Sequence, residues 1–196
     1  MSTVRIAGGF FDPERERLAA LYWQAFGAKL GRVMTPKDKA LQFIAGGLDP
    51  SHSLIARDAA GTLLGGAGYK TAHGAFLGGT LADMQRVWGW WGGTWRGVLL
   101  APLERKVQPG TLLMDGIFVE AAARGTGIGG LLLQAVKDRA RELGLSRVRL
   151  DVIDTNPRAR ALYERSGFRA TETHATGPLR VLFGFRYSTT MDCQVA

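Results

Sequence analysis

The segment Arg124-Gly125-Thr126-Gly127-Ile128-Gly129 has the composition of an anion cradle. Its glycines remove the Cβ atoms that would hold a ligand away from backbone amides. Residues 127–143 place apolar side chains at helical spacing, so the loop runs directly into a helix start, where the peptide dipoles leave about half a positive charge. Such a strand–loop–helix can hold a pyrophosphate. Gly125-x-Gly127-x-x-Gly130 also spells the dinucleotide fingerprint, and Asp151 lies at about the right separation for a ribose contact. Taken alone, the loop leaves three readings open: a dinucleotide, another phosphate ligand, or a plain glycine turn that packs a helix on a sheet. Two details weigh against the dinucleotide. Residues 120–124 intervene between the end of the strand and the first glycine, and several elements precede it in the chain.

Other residues could carry chemistry around this loop. Tyr163 is a phenol, with an ordinary pKa of ~10, and so is a proton donor at neutral pH; beside Leu162 it could equally be a core aromatic. Asn156-Pro157 reads as an N-cap followed by the first helical position, which accounts for Asn156 structurally. Arg124 is either a solvated loop charge or a partner for phosphate oxygens. His52, His73 and His174 are scattered without metal-ligand spacing, and Cys193 is the only cysteine, so no metal site is expected and no intrachain disulfide can form.

The elements that must position these groups follow from periodicity and turn chemistry. A first strand is predicted over 4–10, then a helix capped at Asp12-Pro13 carrying Leu18, Leu21, Tyr22, Ala25 and Phe26. Thr35-Pro36-Lys37-Asp38 reads as a capping-box start of a second helix, which ends at Gly46-Gly47. Strands over 52–58 and 63–71 form a hairpin. A strand over 112–119 leads into the loop, and the helix 127–143 is expected to bury Ile128, Leu131, Leu132, Ala135, Val136 and Leu143. A strand over 147–154, a short helix stopped by Ser166-Gly167, and closing strands near 169–175 and 183–191 complete the chain. The 196 residues, 46% hydrophobic and 21% charged, suffice for one domain with a substantial core. A net charge of +8 suits a polyanionic ligand, and its even spread along the chain argues against a nucleic-acid surface. No secretory signal is read at the start, and with little cysteine a cytoplasmic location is expected.

Arg124-x-x-Gly127-x-Gly129 after a strand ending at Val119, together with the stretch from Asp154 through Asn156-Pro157 and Tyr163 to Gly167-Phe168, resembles the two signatures of the GNAT N-acetyltransferase superfamily. The resemblance is strong over residues 112–168. It implies an α/β (α+β) fold with a central, mixed but largely antiparallel sheet flanked by helices, spanning residues 1–196 as one domain. It further implies acetyl-CoA as co-substrate, an amine acceptor, and transfer by direct attack. CoA would be held by Arg124, Gly125, Thr126, Gly127, Ile128 and Gly129, with Asn156 as a further contact. A splayed strand end at Ile117, Phe118 and Val119 would offer an amide to the thioester carbonyl. Tyr163 would face the CoA sulfur as general acid. Asp115, which shares strand parity with Ile117 and Val119, would be the general base. A CoA-sensing domain without turnover and a NAD(P) oxidoreductase are the competing functions.

One segment departs from that pattern. Residues 72–110 separate the third and fourth strands, where a short turn is usual, and contain Trp88, Trp90, Trp91 and Trp95 among many glycines. Asp83, Arg86 and Arg96 interrupt it, so it does not read as a membrane span. The insertion is expected to cap the acceptor, to form a homodimer face, to touch a membrane surface, or to make a satellite core under a long loop.

Overall fold

Alternation within single strands divides the core in two. Leu54 and Ala56 face one side of the hairpin strand 53–57 while Ile55 faces the other, and each set joins a separate apolar cluster. The computed structural model describes residues 4–101 and 105–195. Its elements run β1 (Arg5–Gly8), α1 (Arg15–Leu30), α2 (Lys37–Gly47), β2 (Ser53–Arg57), β3 (Leu63–Thr71), β4 (Gly74–Ala75), α3 (Leu81–Leu100), β5 (Thr111–Val119), α4 (Ile128–Glu142), β6 (Arg147–Ile153), α5 (Pro157–Arg165), β7 (Arg169–Ala175), α6 (Arg180–Phe183) and β8 (Tyr187–Gln194). The strands form one sheet in the order β1-β2-β3-β5-β6-β8-β7, with β4 paired to β3. All pairings are antiparallel except β5 with β6. This is the mixed, largely antiparallel sheet expected. No helix among the described residues is long and apolar enough to cross a membrane.

Helix α4 covers one face. Ile128, Leu132, Leu133, Val136 and Ala140 are buried in the cluster containing Leu112, Met114, Val148, Leu150 and Tyr163. Leu131 and Leu143, expected in the core, are exposed, and Leu133 and Ala140 take their places. The apolar stripe is thus rotated by part of a turn, which the run Leu131-Leu132-Leu133 could not resolve. Helices α1 and α2 cover the other face, around Leu18, Tyr22, Ile44, Ile55, Phe76 and Phe118. α2 begins where expected, but Pro36 is its N-cap and no side chain caps it. The first helix also differs: residues 12–14 make a separate 3₁₀ turn, with Glu14 accepting from the Phe11 amide at 2.8 Å, and α1 starts at Arg15.

The Trp-rich insertion folds as a tight helical hairpin. Gly89, at φ 79° and ψ 165°, breaks α3 into two arms. In one continuous helix, residues 81 and 97 would stand about 24 Å apart at 1.5 Å per residue. Instead, a Cβ on Gly97 would lie 2.8 Å from Leu81 Cδ1, and one on Gly93 only 2.4 Å from the Gln85 amide nitrogen. The arms touch only because these positions carry no side chain. The hairpin is fixed to the α1–α2 connection from one side: Arg96 donates to the Val33 and Thr35 carbonyls, both at 2.8 Å, and the Trp88 indole donates to Thr35 at 3.0 Å. Arg96 also lies 4.2 Å from the Trp95 ring centre.

Candidate active site

Parallel pairing between β5 and β6 begins at Thr111–Arg147 and ends at Leu113–Arg149. Beyond that the two strands separate, while β5 keeps its antiparallel ladder with β3 as far as Val119. The gap between β5 and β6 is the splay that the family resemblance implies. The Glu120 amide donates to the Leu64 carbonyl at 2.8 Å. By the alternation of an antiparallel ladder, the Phe118 amide also turns toward β3, and the amides of Ile117 and Val119 turn toward the gap.

Phe118 therefore differs from the expectation drawn for it. Its amide belongs to the β3 side and its ring is buried beneath α1, 6.0 Å from both Tyr22 and Phe76 (centre to centre). Asp115 requires a second correction. The register skips one residue between Gly68–Gly116 and Tyr69–Met114, so β5 bulges at Asp115. Leu112 and Met114 face α4 before the bulge, whereas Ile117 and Val119 do so after it. Simple strand parity thus fails: Asp115 points away from the Ile117 side and, with Leu113, lines a different cavity.

The cavity on the Ile117 side, about 520 Å³, is bounded by Ile117, Val119, the glycine loop and α5. Gly125 (φ 85°) and Gly127 (φ 91°) occupy left-handed backbone conformations, and a Cβ on either would enter open space. Glycine is needed here for its backbone freedom and for the cleared cradle above it. Among the described residues the amides of 125–129 have no intramolecular acceptor. Arg124 donates from Nε to the Val119 carbonyl at 3.0 Å, tying the loop to the strand end, and still lines the cavity. The Thr126 hydroxyl donates to Ala123 at 2.8 Å, so this side chain holds the turn rather than facing the cavity. Ile128 is buried and anchors α4, and Gly129 lets Leu162 approach to a distance at which a Cβ would be crowded at 3.0 Å. Asn156 caps α5, its oxygen accepting from the Ala159 amide at 3.1 Å, while it also borders the cavity. Arg158 and Arg165, which the sequence reading passed over, add two cations to the rim. Open amides, a helix start and three arginines fit a pyrophosphate-bearing ligand. A dinucleotide fits less well, because Asp151 is engaged by Arg105 at 2.8 Å and a 3₁₀ turn, not a strand tip, precedes the loop.

Tyr163 is buried on the wall of this cavity, 6.1 Å from the Phe168 ring. Burial pushes its phenol up to about 12, with Arg105 opposing, so the hydroxyl keeps its proton at neutral pH. The second cavity, about 630 Å³, lies between α1, α2, β4 and the helical hairpin, and Phe26 borders both. Asp115 is on its wall, with one buried carboxylate oxygen lacking any hydrogen-bond partner. Burial raises its pKa against the pull of Arg105, the Leu77 amide, Lys70 and His52. Tyr22 faces the same space, its phenol raised by burial and by the Asp115 charge. Arg105, Lys70 and Tyr22 had no local signature; each is brought in from a different segment.

A mixed sheet that parts beside a glycine-rich turn, with a buried tyrosine across the gap, has the architecture of the N-acetyltransferase fold. Residues 15–168 match the acetyltransferase (GNAT) family, and the chain belongs to that family. It is 42% identical to a mycothiol acetyltransferase of Beutenbergia cavernae over 82 residues, which is 40% of this chain and 27% of that protein. It is 34% identical to an uncharacterised N-acetyltransferase of Schizosaccharomyces pombe over 71 residues, 36% of this chain and 44% of the relative. The match thus spans less than half the length of either relative. Among solved structures, a GCN5-related N-acetyltransferase from Kribbella flavida superposes with a TM-score of 0.64 at 20% identity over 97% of both chains. The ribosomal-protein-S18-alanine N-acetyltransferase of Escherichia coli does so at 0.60 and 13% identity, over 99% of this chain and 95% of that one. At these identities the superpositions speak for the fold alone.

Proposed function

We propose that the protein transfers an acetyl group from acetyl-CoA to a primary amine by direct attack. The observation that carries this reading is the pair of cavities adjoining at Phe26, one with a phosphate cradle and a neutral phenol, the other with a buried carboxylate. The amides of 125–129 and the cations Arg124, Arg158 and Arg165 receive the pyrophosphate, and the thioester arm follows the open edge of β5. Asp115 takes a proton from the amine, whose lone pair then forms the new C–N bond at the thioester carbon. The amide of Ile117 or Val119 donates to the carbonyl oxygen as it becomes negative. As the C–S bond breaks, Tyr163 gives its proton to the departing thiolate. The raised carboxylate suits the base role, because an ordinary carboxylate near ~4 accepts protons poorly at neutral pH.

Incubation with acetyl-CoA and a broad set of amines, with free thiol measured, tests the proposal. Thiol released together with a mass increase of one acetyl group on the amine supports it. Acetyl-CoA binding without thiol release from any amine would leave a sensing domain in its place.

A further inference from the structure

We infer that the tip of the helical hairpin docks on an anionic lipid bilayer, with its tryptophans seated among the headgroups. Residues 87–95 run from Arg86 to Arg96 without a charge and hold four tryptophans. Trp88 turns inward, onto the Phe43 ring and the Thr35 carbonyl. The other three stay outside: Trp90, Trp91 and Trp95 are 62%, 77% and 45% exposed. Trp90 and Trp91 meet edge to face, 4.7 Å between ring centres, directly after the Gly89 turn. Trp91, Trp95 and Val98 continue down the second arm at helical spacing, and Val98 is exposed as well. A contiguous apolar patch of this kind marks an interaction surface. An indole suits the bilayer interface, where its apolar body meets acyl chains and its N–H meets headgroup oxygens.

Charge and area point to lipid as the occupant. Residues 31–40 and 81–106, the hairpin with its flank and the connection that holds it, carry seven Lys and Arg against three Asp and Glu, in a chain of net charge +8. The Arg86–Asp83 ion pair and the bonds of Arg32 and Arg96 to backbone carbonyls leave that balance unchanged. A second copy of the chain would bring the same sign of charge to the same place. The three exposed rings also offer only about 400 Å², half of the ~800 Å² that each partner of a stable dimer buries. A bilayer needs less, because a few interfacial aromatics beside excess positive charge hold a peripheral element on anionic lipid. The stripe ends at Val98, on the wall of the Asp115 cavity, so a docked hairpin sets that cavity beside the lipid. Docking rests on the hairpin alone and is independent of the acetyl-transfer reading.

The experiment titrates the full chain with phosphatidylcholine vesicles, with or without phosphatidylserine, and separates bound protein by flotation. Affinity for the vesicles containing phosphatidylserine should exceed that for phosphatidylcholine alone at least ~10-fold, and added salt should weaken it. Replacing both rings, Trp90→Ala with Trp91→Ala, should lower it at least ~10-fold. In wild type, phosphatidylcholine brominated on its acyl chains, mixed with phosphatidylserine, should quench the tryptophan fluorescence, a reading that needs no variant. Wild type that does not float with anionic vesicles overturns the inference. So does flotation unchanged in the double variant, or bound protein without quenching, since charge alone would then hold it. A wild-type dimer that the double variant turns into a monomer overturns it too, with a second copy as the occupant. Capture on soluble polyglutamate without flotation assigns the surface to an acidic macromolecule instead.

Discussion

The two cavities that meet at Phe26 are built in opposite ways. The glycine-loop cavity is built around one contiguous stretch, β5 through α4, with one wall from α5 and another from Gln24, Ala25 and Phe26 of α1. The Asp115 cavity is formed by side chains from α1, α2, β3, β4, α3 and β5, which are far apart in sequence. A backbone site needs particular residues in a particular order, because only glycine adopts the φ of Gly125 and Gly127 freely. A side-chain site needs only the right shape and a carboxylate, and many sequences satisfy that. On the proposed reading, the donor half of the reaction is therefore the constrained half, and the acceptor half is free to vary on the same frame.

The sharpest way to break this comparison is at the residue proposed to serve chemistry rather than either binding surface. Tyr163→Phe should lower kcat by ~10²–10⁴ and leave acetyl-CoA affinity near wild type, since the ring and its burial are kept. Unchanged turnover, with acetyl transfer shown to limit the rate, would remove the phenol from the proton path.

Asp115→Asn should lower kcat by at least ~10²-fold and remove the acidic limb of the pH–rate profile. The limb arises because the carboxylate must be ionised to act, so activity is lost as pH falls through its raised pKa. The same shift has a stability consequence of opposite sign to the usual carboxylate. With the folded pKa above the unfolded one, the folded state binds the proton more tightly, and stability falls as pH rises between the two values. Asp115→Asn should therefore raise the melting temperature at pH 8, with the difference disappearing below about pH 4. Melting temperatures that move together at both pH values would show that the carboxylate is not held against its solvation.

Replacing residues 81–100 by a short Gly/Ser linker should reduce kcat/KM for the true acceptor at least tenfold, while acetyl-CoA affinity stays within a few-fold. The hairpin contributes to the wall beside Asp115 and none of the residues around the glycine loop. The replacement also tests whether the exposed Trp90 and Trp91, 62% and 77% accessible, form a contact between two copies, since a dimer would become a monomer in sedimentation. Loss of acetyl-CoA binding in a folded variant would show that the two halves are not separable.

The smallest effect concerns the cradle itself. Gly127→Ala meets no neighbouring atom, so its cost is only that of holding a side chain at φ 91°, about 1–2 kcal/mol. That is roughly 2–8 °C of melting temperature for a chain of this size.

The contrast between the two cavities also explains what could be read from the sequence. The strands and helices from β2 to α5 other than β4 and α3, the glycine turn before α4 and the Asn156 cap followed from periodicity, glycine spacing and turn residues. The site residues that differed did so for long-range reasons. Asp115 lost strand parity with Ile117 through a bulge set by the register with β3, which no local pattern within 112–119 announces. Phe118 turned its amide to β3 for the same pairing reason. Residues 72–110 gave no readable element, since helix-disfavouring glycines at 89, 92, 93 and 97 suit the hairpin only once the two arms are in contact. Arg105 reaches Asp151 from the far end of that insertion, and Tyr22 reaches the Asp115 cavity from α1, neither carrying a signature of its own.

The central claim is that the loop from Arg124 to Gly129 holds acetyl-CoA, and thermal unfolding with and without ligand tests it most directly. At ~100 times its dissociation constant, a ligand that binds only the folded state contributes about 2.7 kcal/mol. For a domain of this size that is a rise of roughly 5–10 °C. The account predicts this shift for wild type with acetyl-CoA, none with NADH, and none for Gly127→Glu, whose carboxylate would project into the cradle meant for phosphate. Identical melting of the wild-type protein with and without saturating acetyl-CoA, or an undiminished shift in Gly127→Glu, would contradict it.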